Sequence, residues 1–137
     1  MEKNEKNGLA LLLGFFCRSR FSYARAAVVE NINVSFIDES VANDLRCYEK
    51  VDLLEEVEVE VPDGGKYVIF SVCTIDRVIF NGYEISLPTV VHVARALRRS
   101  SQFEAYIGKD LINYWQLYVD PFGRIVRSRI ARRVRLE

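Results

Sequence analysis

The sequence predicts an α+β fold: a mixed or antiparallel sheet flanked by helices and ending in a C-terminal β-hairpin. Three observations predict it. Apolar residues recur at helical spacing in the first thirty residues, strict alternation (EVEVEV) runs from Glu56 to Val61, and Asn81-Gly82 separates two β-rich runs. With 137 residues, 50% of them hydrophobic and 28% charged, the chain is long enough for a core, and we expect a single domain over residues 1–137.

Three segments are predicted to be helical. The first runs from about Leu9 to Val29 and the second begins near Asp38 to Ser40. The third runs from Pro88-Thr89 to about Ile107, with Thr89 as a plausible N-cap. The residues expected on the inner faces of the first two helices are Leu9, Leu12, Leu13, Phe16 and Tyr23, followed by Val41, Leu45 and Tyr48.

The strands are predicted from alternation and from turn residues. Glu56 to Val61 is followed by the turn Pro62-Asp63-Gly64-Gly65 and by an apolar strand from Lys66 to Val72. Cys73 to Phe80 and Tyr83 to Leu87 form a hairpin, because both central positions of a two-residue turn need positive φ. Leu111 to Val119 is aromatic-rich and predicted as a strand, and the Asp120-Pro121-Phe122-Gly123 turn precedes the arginine-rich end.

The charges are unevenly distributed, although the formal net charge is zero. Between Phe36 and Gly64 there are ten acidic and two basic residues, a local charge of −8. From Arg124 to Glu137 there are six arginines and one glutamate, a local charge of +5. Such asymmetry indicates a charged partner or a second copy of the same chain.

The arginine-rich end separates apolar from basic positions best if it is a strand. One face then carries the row Arg127, Arg129, Arg133 and Arg135, whose planar guanidiniums suit phosphate contact. Two alternatives stay open: a solvated edge strand charged against aggregation, or pairing with the acidic strand of a neighbouring copy. Arg95, Arg98 and Arg99 form a second basic patch. The alternative is that these residues are an ordinary solvent-exposed face with no ligand.

Four short motifs occur in an order known from one family. They are Cys17-Arg18-Ser19-Arg20-Phe21-Ser22-Tyr23, Cys73-Thr74-Ile75-Asp76, Tyr83-Glu84-Ile85-Ser86 and Gln102-Phe103-Glu104-Ala105-Tyr106. From about Cys17 to Ile107 the chain resembles the CRISPR-associated RecB-like exonucleases. The resemblance implies a restriction-endonuclease-like fold and metal-dependent phosphodiester hydrolysis, with two carboxylates on the metal and a lysine beside the attacking water.

The chain departs from that family at the catalytic positions. Ser86 stands where the family has its lysine, Cys73 replaces a glycine, and no cysteine follows Cys73 to complete the family's iron–sulfur cluster. A two-residue turn at Asn81-Gly82 also places Asp76 and Glu84 on opposite faces of the hairpin. We therefore expect no catalytic residues, no metal and no cofactor, with Asp76, Glu84, Gln102 and Tyr106 as remnants of the site.

These observations predict a non-catalytic nucleic-acid-binding protein on a decayed nuclease core. In this it is similar to the nuclease-derived nucleocapsid proteins of filamentous viruses of hyperthermophilic archaea. The resemblance implies sequence-independent binding of double-stranded DNA, homo-oligomers, and a location in the virion or the host cytoplasm. The alternatives are an active metal-dependent nuclease with a rearranged site and a protein–protein assembly adaptor. We expect no membrane contact, and reduced, buried thiols at Cys17, Cys47 and Cys73.

Overall fold

Strands dominate the computed structural model, which describes residues 11–47, 55–99, 103–122 and 124–134, with the backbone alone at residue 126. The strands are β1 (Leu11–Cys17), β2 (Arg20–Val28), β3 (Phe36–Asp38), β4 (Val57–Glu60), β5 (Lys66–Ile75), β6 (Arg77–Phe80), β7 (Tyr83–Ile85), β8 (Thr89–Arg98), β9 (Ala105–Ile107), β10 (Leu117–Val119), β11 (Ile125–Ser128) and β12 (Arg132–Arg133). The helices are α1 (Glu39–Leu45) and α2 (Lys109–Tyr114). No described helix is long and apolar enough to cross a membrane.

Ten of these strands form one mixed sheet. Its order is β12-β7-β6-β1-β2-β9-β3-β8-β5-β4, so β12 and β4 are its edges. The pairs β2–β9 and β3–β8 are parallel, and the other neighbours are antiparallel. The remaining strands, β10 and β11, form a separate antiparallel hairpin.

Large apolar and aromatic side chains fill the interior. Trp115, Tyr67, Tyr106, Phe15 and Phe36 are among the largest fully buried side chains. The indole N–H of Trp115 donates to Thr89 Oγ1 at 3.0 Å, so the one polar atom of this ring is satisfied inside the core.

Helix α1 begins where its sequence predicts. Asp38 caps it, because its carboxylate accepts a hydrogen bond from the Ser40 N–H at 3.0 Å, and Val41 and Leu45 are buried beneath it. Just past the helix, Cys47 forms a disulfide with Cys73, near the C-terminal end of β5. The expectation of three reduced thiols is therefore wrong for this pair, while Cys17 is buried outside this disulfide and its thiol donates to the Thr74 carbonyl at 3.5 Å.

The predicted helix from Leu9 to Val29 is wrong. Its described part is the antiparallel hairpin β1–β2, which turns at Arg18, a residue with φ of 56°. In β2, Ala24 and Ala26 are buried while Tyr23 and Arg25 face outward, a period of two. The alternation was hidden because aromatic residues occupy outward positions in β2 and because the apolar run of β1 contains no polar residue to mark its outer face.

The predicted helix from Thr89 to Ile107 is also wrong. Its described residues form the long strand β8 and the short strand β9. Thr89 does not cap a helix: it is buried, and its hydroxyl donates to the Leu87 carbonyl at 2.8 Å. Val90, Val91 and Val93 favour a strand, because β-branched side chains pack well on a pleated surface and lose rotamer freedom in a helix.

The fold class follows from these two corrections. Because both segments are strands, the described chain is mostly β, and the predicted restriction-endonuclease-like α+β fold with flanking helices is wrong. The predicted strand from Leu111 to Val119 is also only partly correct, since it begins as α2 and becomes the strand β10.

The predicted hairpin at Asn81-Gly82 is confirmed. Asn81 and Gly82 have φ of 51° and 79°, and the pairs Phe80–Tyr83 and Ile79–Glu84 have the predicted register. The acidic strand is present as β4, paired with β5. The C-terminal hairpin is present as β10 and β11, but β11 ends at Ser128 and a turn separates it from β12.

Candidate nucleic-acid interface

The two carboxylates of the predicted nuclease remnant have separate partners. Asp76 lies at the exposed bend between β5 and β6 and accepts a hydrogen bond from the backbone N–H of Arg18. Glu84 lies on β7, where Arg77 and Ser86 donate to it at 3.1 Å and 2.7 Å. The hydrogen bond from Ser86, with that from Arg77, lowers the pKa of Glu84 below its ordinary value. Both carboxylates therefore serve as local hydrogen-bond acceptors.

Of the other two predicted remnants, the structure describes only Tyr106. Tyr106 is buried in β9, not on a helix, and its hydroxyl lies 3.2 Å from that of Tyr67. Gln102 lies outside the described residues. Among the residues that the structure does describe, no group of three or more His, Cys, Asp or Glu side chains is arranged to hold a metal ion.

The basic patch of β8 is neutralised within the chain. Arg95 lies 3.7 Å from Glu56, just before β4, and Arg98 lies 3.9 Å from Glu60 of β4, so both arginines have glutamate partners. The Gly64 carbonyl also accepts hydrogen bonds from the Arg98 guanidinium at 3.0 Å and 3.1 Å. These two arginines already have acidic or carbonyl partners, which a phosphate would have to displace.

Arg99 completes that patch and pairs with a buried carboxylate. Its guanidinium lies 3.2 Å from Asp38, whose side chain is only 4% exposed. The same carboxylate accepts a hydrogen bond from the Ser40 hydroxyl at 2.6 Å. Asp38 is therefore fully engaged in capping α1 and in holding Arg99 against it.

Arg127 and Arg129 have a different environment, on the β10–β11 hairpin. Arg127 pairs across the hairpin with Tyr118, and its guanidinium lies 4.7 Å from the centre of the tyrosine ring. The Arg129 guanidinium lies 5.6 Å from the same centre and donates to the tyrosine hydroxyl at 3.1 Å. We call these three residues the Tyr118 cluster.

The Tyr118 cluster is exposed and positively charged. Tyr118 is 41% exposed, and hydrogen bonds from Arg129 and Arg127 lower the pKa of its hydroxyl. The same contact raises the pKa of Arg129. Within the described residues, no carboxylate lies within ion-pair distance of Arg127 or Arg129. Their positive charge is therefore available to an anion.

The predicted single row of arginines is broken. Ser128 anchors the turn after β11: its hydroxyl donates to the Trp115 carbonyl at 2.6 Å and accepts from the Ile130 N–H at 3.2 Å. Beyond this turn, Arg133 joins the ten-stranded sheet opposite Tyr83, with its guanidinium 5.9 Å from that ring. Arg135 lies outside the described residues. The alternation from Val126 to Leu136 predicts one continuous strand, because nothing in it marks the turn after Ser128.

The neighbouring turn carries a further arginine and an exposed ring. Arg124 makes an ion pair with Asp120 at 2.8 Å and lies 5.3 Å from the centre of Phe122, which is 67% exposed. Backbone and side-chain hydrogen bonds from Arg124 lower the pKa of Asp120. Because Asp120 neutralises Arg124, this residue adds less free charge than Arg127 or Arg129.

One surface was missed at the level of sequence. Phe16, Phe21 and Tyr23 lie side by side on the outer face of the β1–β2 hairpin. The helix predicted from Leu9 to Val29 does not place these three residues on a common face. The alternation from Phe21 to Ala26, with aromatic or charged residues outward and small residues inward, was the signal that would have found it.

Comparisons with known proteins find a similarity among solved structures alone. No protein-family model matches the chain, and no curated protein matches it. Among solved structures, the chain is similar to the crystal structure of the retroviral protease-like domain of Ddi1 from Leishmania major. The two are 14% identical, the match covers 82% of each chain, and the TM-score is 0.47. A likeness at this level assigns no activity to the chain.

Proposed function

We propose that this chain is a non-catalytic nucleic-acid-binding protein that holds a phosphate backbone with the Tyr118 cluster. One observation carries the proposal: two exposed guanidiniums lie against a tyrosine ring and are not paired with a described carboxylate. A phosphate approaching them competes with no described carboxylate, whereas at Arg95 or Arg98 it would compete with a glutamate.

The chemistry of the cluster suits a phosphodiester. Each guanidinium presents planar donors that match two phosphate oxygens, and stacking on the ring restricts its motion before binding. The ring itself offers a face for stacking of a base or sugar. Such contacts fix a backbone without reading bases, so we expect binding that is independent of sequence.

This proposal includes nucleic-acid binding but leaves out the nucleocapsid role that the sequence suggested. A packaging role in a virion depended on the nuclease-like core, and the β-rich fold replaces that core. Arg133, opposite Tyr83, lies outside the Tyr118 cluster and stays a separate candidate phosphate contact. Arg95, Arg98 and Arg99 do not stay candidates, because each faces a carboxylate.

The test is the salt dependence of binding. Labelled DNA and RNA are titrated with the protein at several salt concentrations and followed by fluorescence anisotropy. The double variant Arg127→Ala/Arg129→Ala should bind more weakly, and its plot of log affinity against log salt should flatten by about 1.4 to 1.8, for two lost phosphate contacts. The matched control Arg95→Ala/Arg98→Ala loses the same charge and should keep the slope.

Three results would contradict the proposal. The first is a wild-type protein that binds no nucleic acid but associates with itself in a salt-sensitive way, as an assembly adaptor would. The second is an equal loss of slope in both double variants. The third is Mn²⁺-dependent cleavage that disappears in Asp76→Ala and Glu84→Ala, since this would make the protein a nuclease.

A further inference from the structure

The outer face of the ten-stranded sheet presents a continuous set of side chains across five strands. Residues paired across neighbouring strands share one face of a sheet. The pairings that define this face run in one row through Tyr23, Gly14, Ile79, Glu84 and Arg132, and in the next row through Phe21, Phe16 and Arg77. We call this surface, on β2, β1, β6, β7 and β12, the outer face.

Three aromatic rings cover one side of the outer face. Phe16 and Phe21 have ring centres 4.4 Å apart, and Phe21 meets Tyr23 edge to face at 4.6 Å. Tyr23 is 61% exposed and Phe21 39%, so these rings are not part of the core. Gly14 leaves space for them, because a Cβ atom at that position would lie 2.8 Å from the Phe21 ring.

Guanidinium groups cover the other side. Arg77 lies 4.0 Å from the centre of the Phe16 ring and 3.1 Å from Glu84. A groove of about 710 Å³ begins there, lined by Arg77, Ile79, Glu84, Ser86, Arg132, Arg133 and Val134. Its charged residues are three arginines and one glutamate, and the glutamate already pairs with Arg77. The groove therefore has positive charge left to neutralise.

We infer that the outer face is a stacking platform for unpaired bases, and that the preferred ligand is a single-stranded nucleic acid. Exposed rings beside a positively charged groove are the combination that binds single strands: bases stack on the rings, and the backbone follows the charge. A duplex keeps its base faces inside its own stack and cannot use these rings. The inference rests on the proposed function in taking nucleic acid as the ligand.

The experiment compares one strand in two forms. A labelled oligonucleotide is titrated alone and annealed to its complement, using fluorescence anisotropy at one salt concentration. The double variant Phe21→Leu/Tyr23→Leu keeps apolar cover over Gly14 but removes both rings. It should bind the single strand at least about fivefold more weakly, since stacking on each ring contributes about 5- to 150-fold. Its affinity for the duplex should not change.

Two further variants separate stacking from other effects. Tyr23→Phe keeps the ring and should bind the single strand as the wild type does. Val90→Ala trims another exposed apolar residue, 58% exposed on β8, and should also leave binding unchanged. Thermal unfolding of every variant, followed by circular dichroism, confirms that the fold is retained.

The outcomes distinguish this inference from the proposed function. If Arg127→Ala/Arg129→Ala weakens binding while the ring variant binds both forms as the wild type does, the platform is wrong and the proposed function stands. If the ring variant loses self-association but keeps its affinity for the single strand, the outer face is instead covered by a second copy. If the wild type binds neither form, both proposals fail.

Discussion

At the scale of single residues, the arginines differ in what surrounds their charge. Arg95 and Arg98 face glutamates, Arg99 faces a buried aspartate, and Arg127 and Arg129 face a tyrosine. Surface ion pairs add little to stability, but they do oppose the approach of a second anion. The same residue type therefore has two roles in this chain, and only the contacts distinguish them.

The pKa of Tyr118 depends on the two arginines of the Tyr118 cluster. Because hydrogen bonds and charge from Arg129 and Arg127 lower the pKa of Tyr118, the variant Arg129→Ala should raise that pKa toward the ordinary tyrosine value. The chain has seven tyrosines, so the titration needs site-resolved NMR of a ring-labelled sample. Arg124→Ala is the control: this residue contacts Phe122 and Asp120, and the pKa of Tyr118 should stay where it is. Equal shifts in both variants would mean that general charge, not contact, sets the pKa.

At the scale of elements, the disulfide joins the segment just past α1 to β5, the strand next to the edge strand β4. It closes a loop with a sequence separation of 26 between Cys47 and Cys73. Closing such a loop restricts the unfolded chain, and we expect the bond to contribute about 3 kcal/mol to the free energy of unfolding. Reductant should therefore shift the urea unfolding midpoint of the wild type downward, and Cys47→Ala/Cys73→Ala should unfold at the same point with or without it.

The buried Cys17 provides the control for that measurement. It lies outside this disulfide, so Cys17→Ala should keep the sensitivity to reductant while losing its own packing and its hydrogen bond to the Thr74 carbonyl. If the reductant has no effect on the wild type, or the same effect on the double variant, then the bond does not stabilise the protein in solution.

The elements also show which parts of the fold the sequence could predict. The turn at Asn81-Gly82 and the start of a helix near Asp38 to Ser40 are local signals, because both depend on the chemistry of neighbouring residues, and both predictions are confirmed. The strands β1, β2 and β8 were predicted as helices. Their outward positions carry Leu12, Phe21 and Val90, which are apolar yet exposed, so the contrast between the two faces of each strand is weak. Only pairing with distant strands determines their structure.

The candidate sites were predictable to a smaller extent. Arg127 and Arg129 were found because their charge is concentrated in sequence, but the turn at Ser128 that separates them from Arg133 depends on a carbonyl of Trp115, thirteen residues earlier. The outer face was not predictable in this way, since it is assembled from five strands that are scattered along the chain.

At the scale of the whole molecule, the opposite charges of the two halves are partly balanced inside one chain. Glu56, just before β4, makes an ion pair with Arg95, and Glu60 of β4 makes one with Arg98. Both arginines belong to β8, two places from β4 in the sheet order. The acidic segment therefore has an internal role, and an attraction between copies is not required to explain it. Among the described arginines from Arg124 onward, only Arg124 has a carboxylate within ion-pair distance. The charges of the others are therefore neutralised less.

One buried junction connects distant parts of this molecule. Ser35, which precedes β3, donates its hydroxyl to Asp110 of α2 at 2.5 Å and accepts the Gly108 N–H at 2.7 Å. Ser35→Ala leaves that N–H buried without its partner, so we expect the free energy of unfolding to fall by about 1 to 3 kcal/mol in urea titrations. Ser22→Ala is the matched control: its hydroxyl makes only long contacts, of 3.4 Å and 3.5 Å, and the change should stay within about 0.5 kcal/mol. Equal losses in the two variants would show that the junction does not connect α2 to the sheet as its geometry implies.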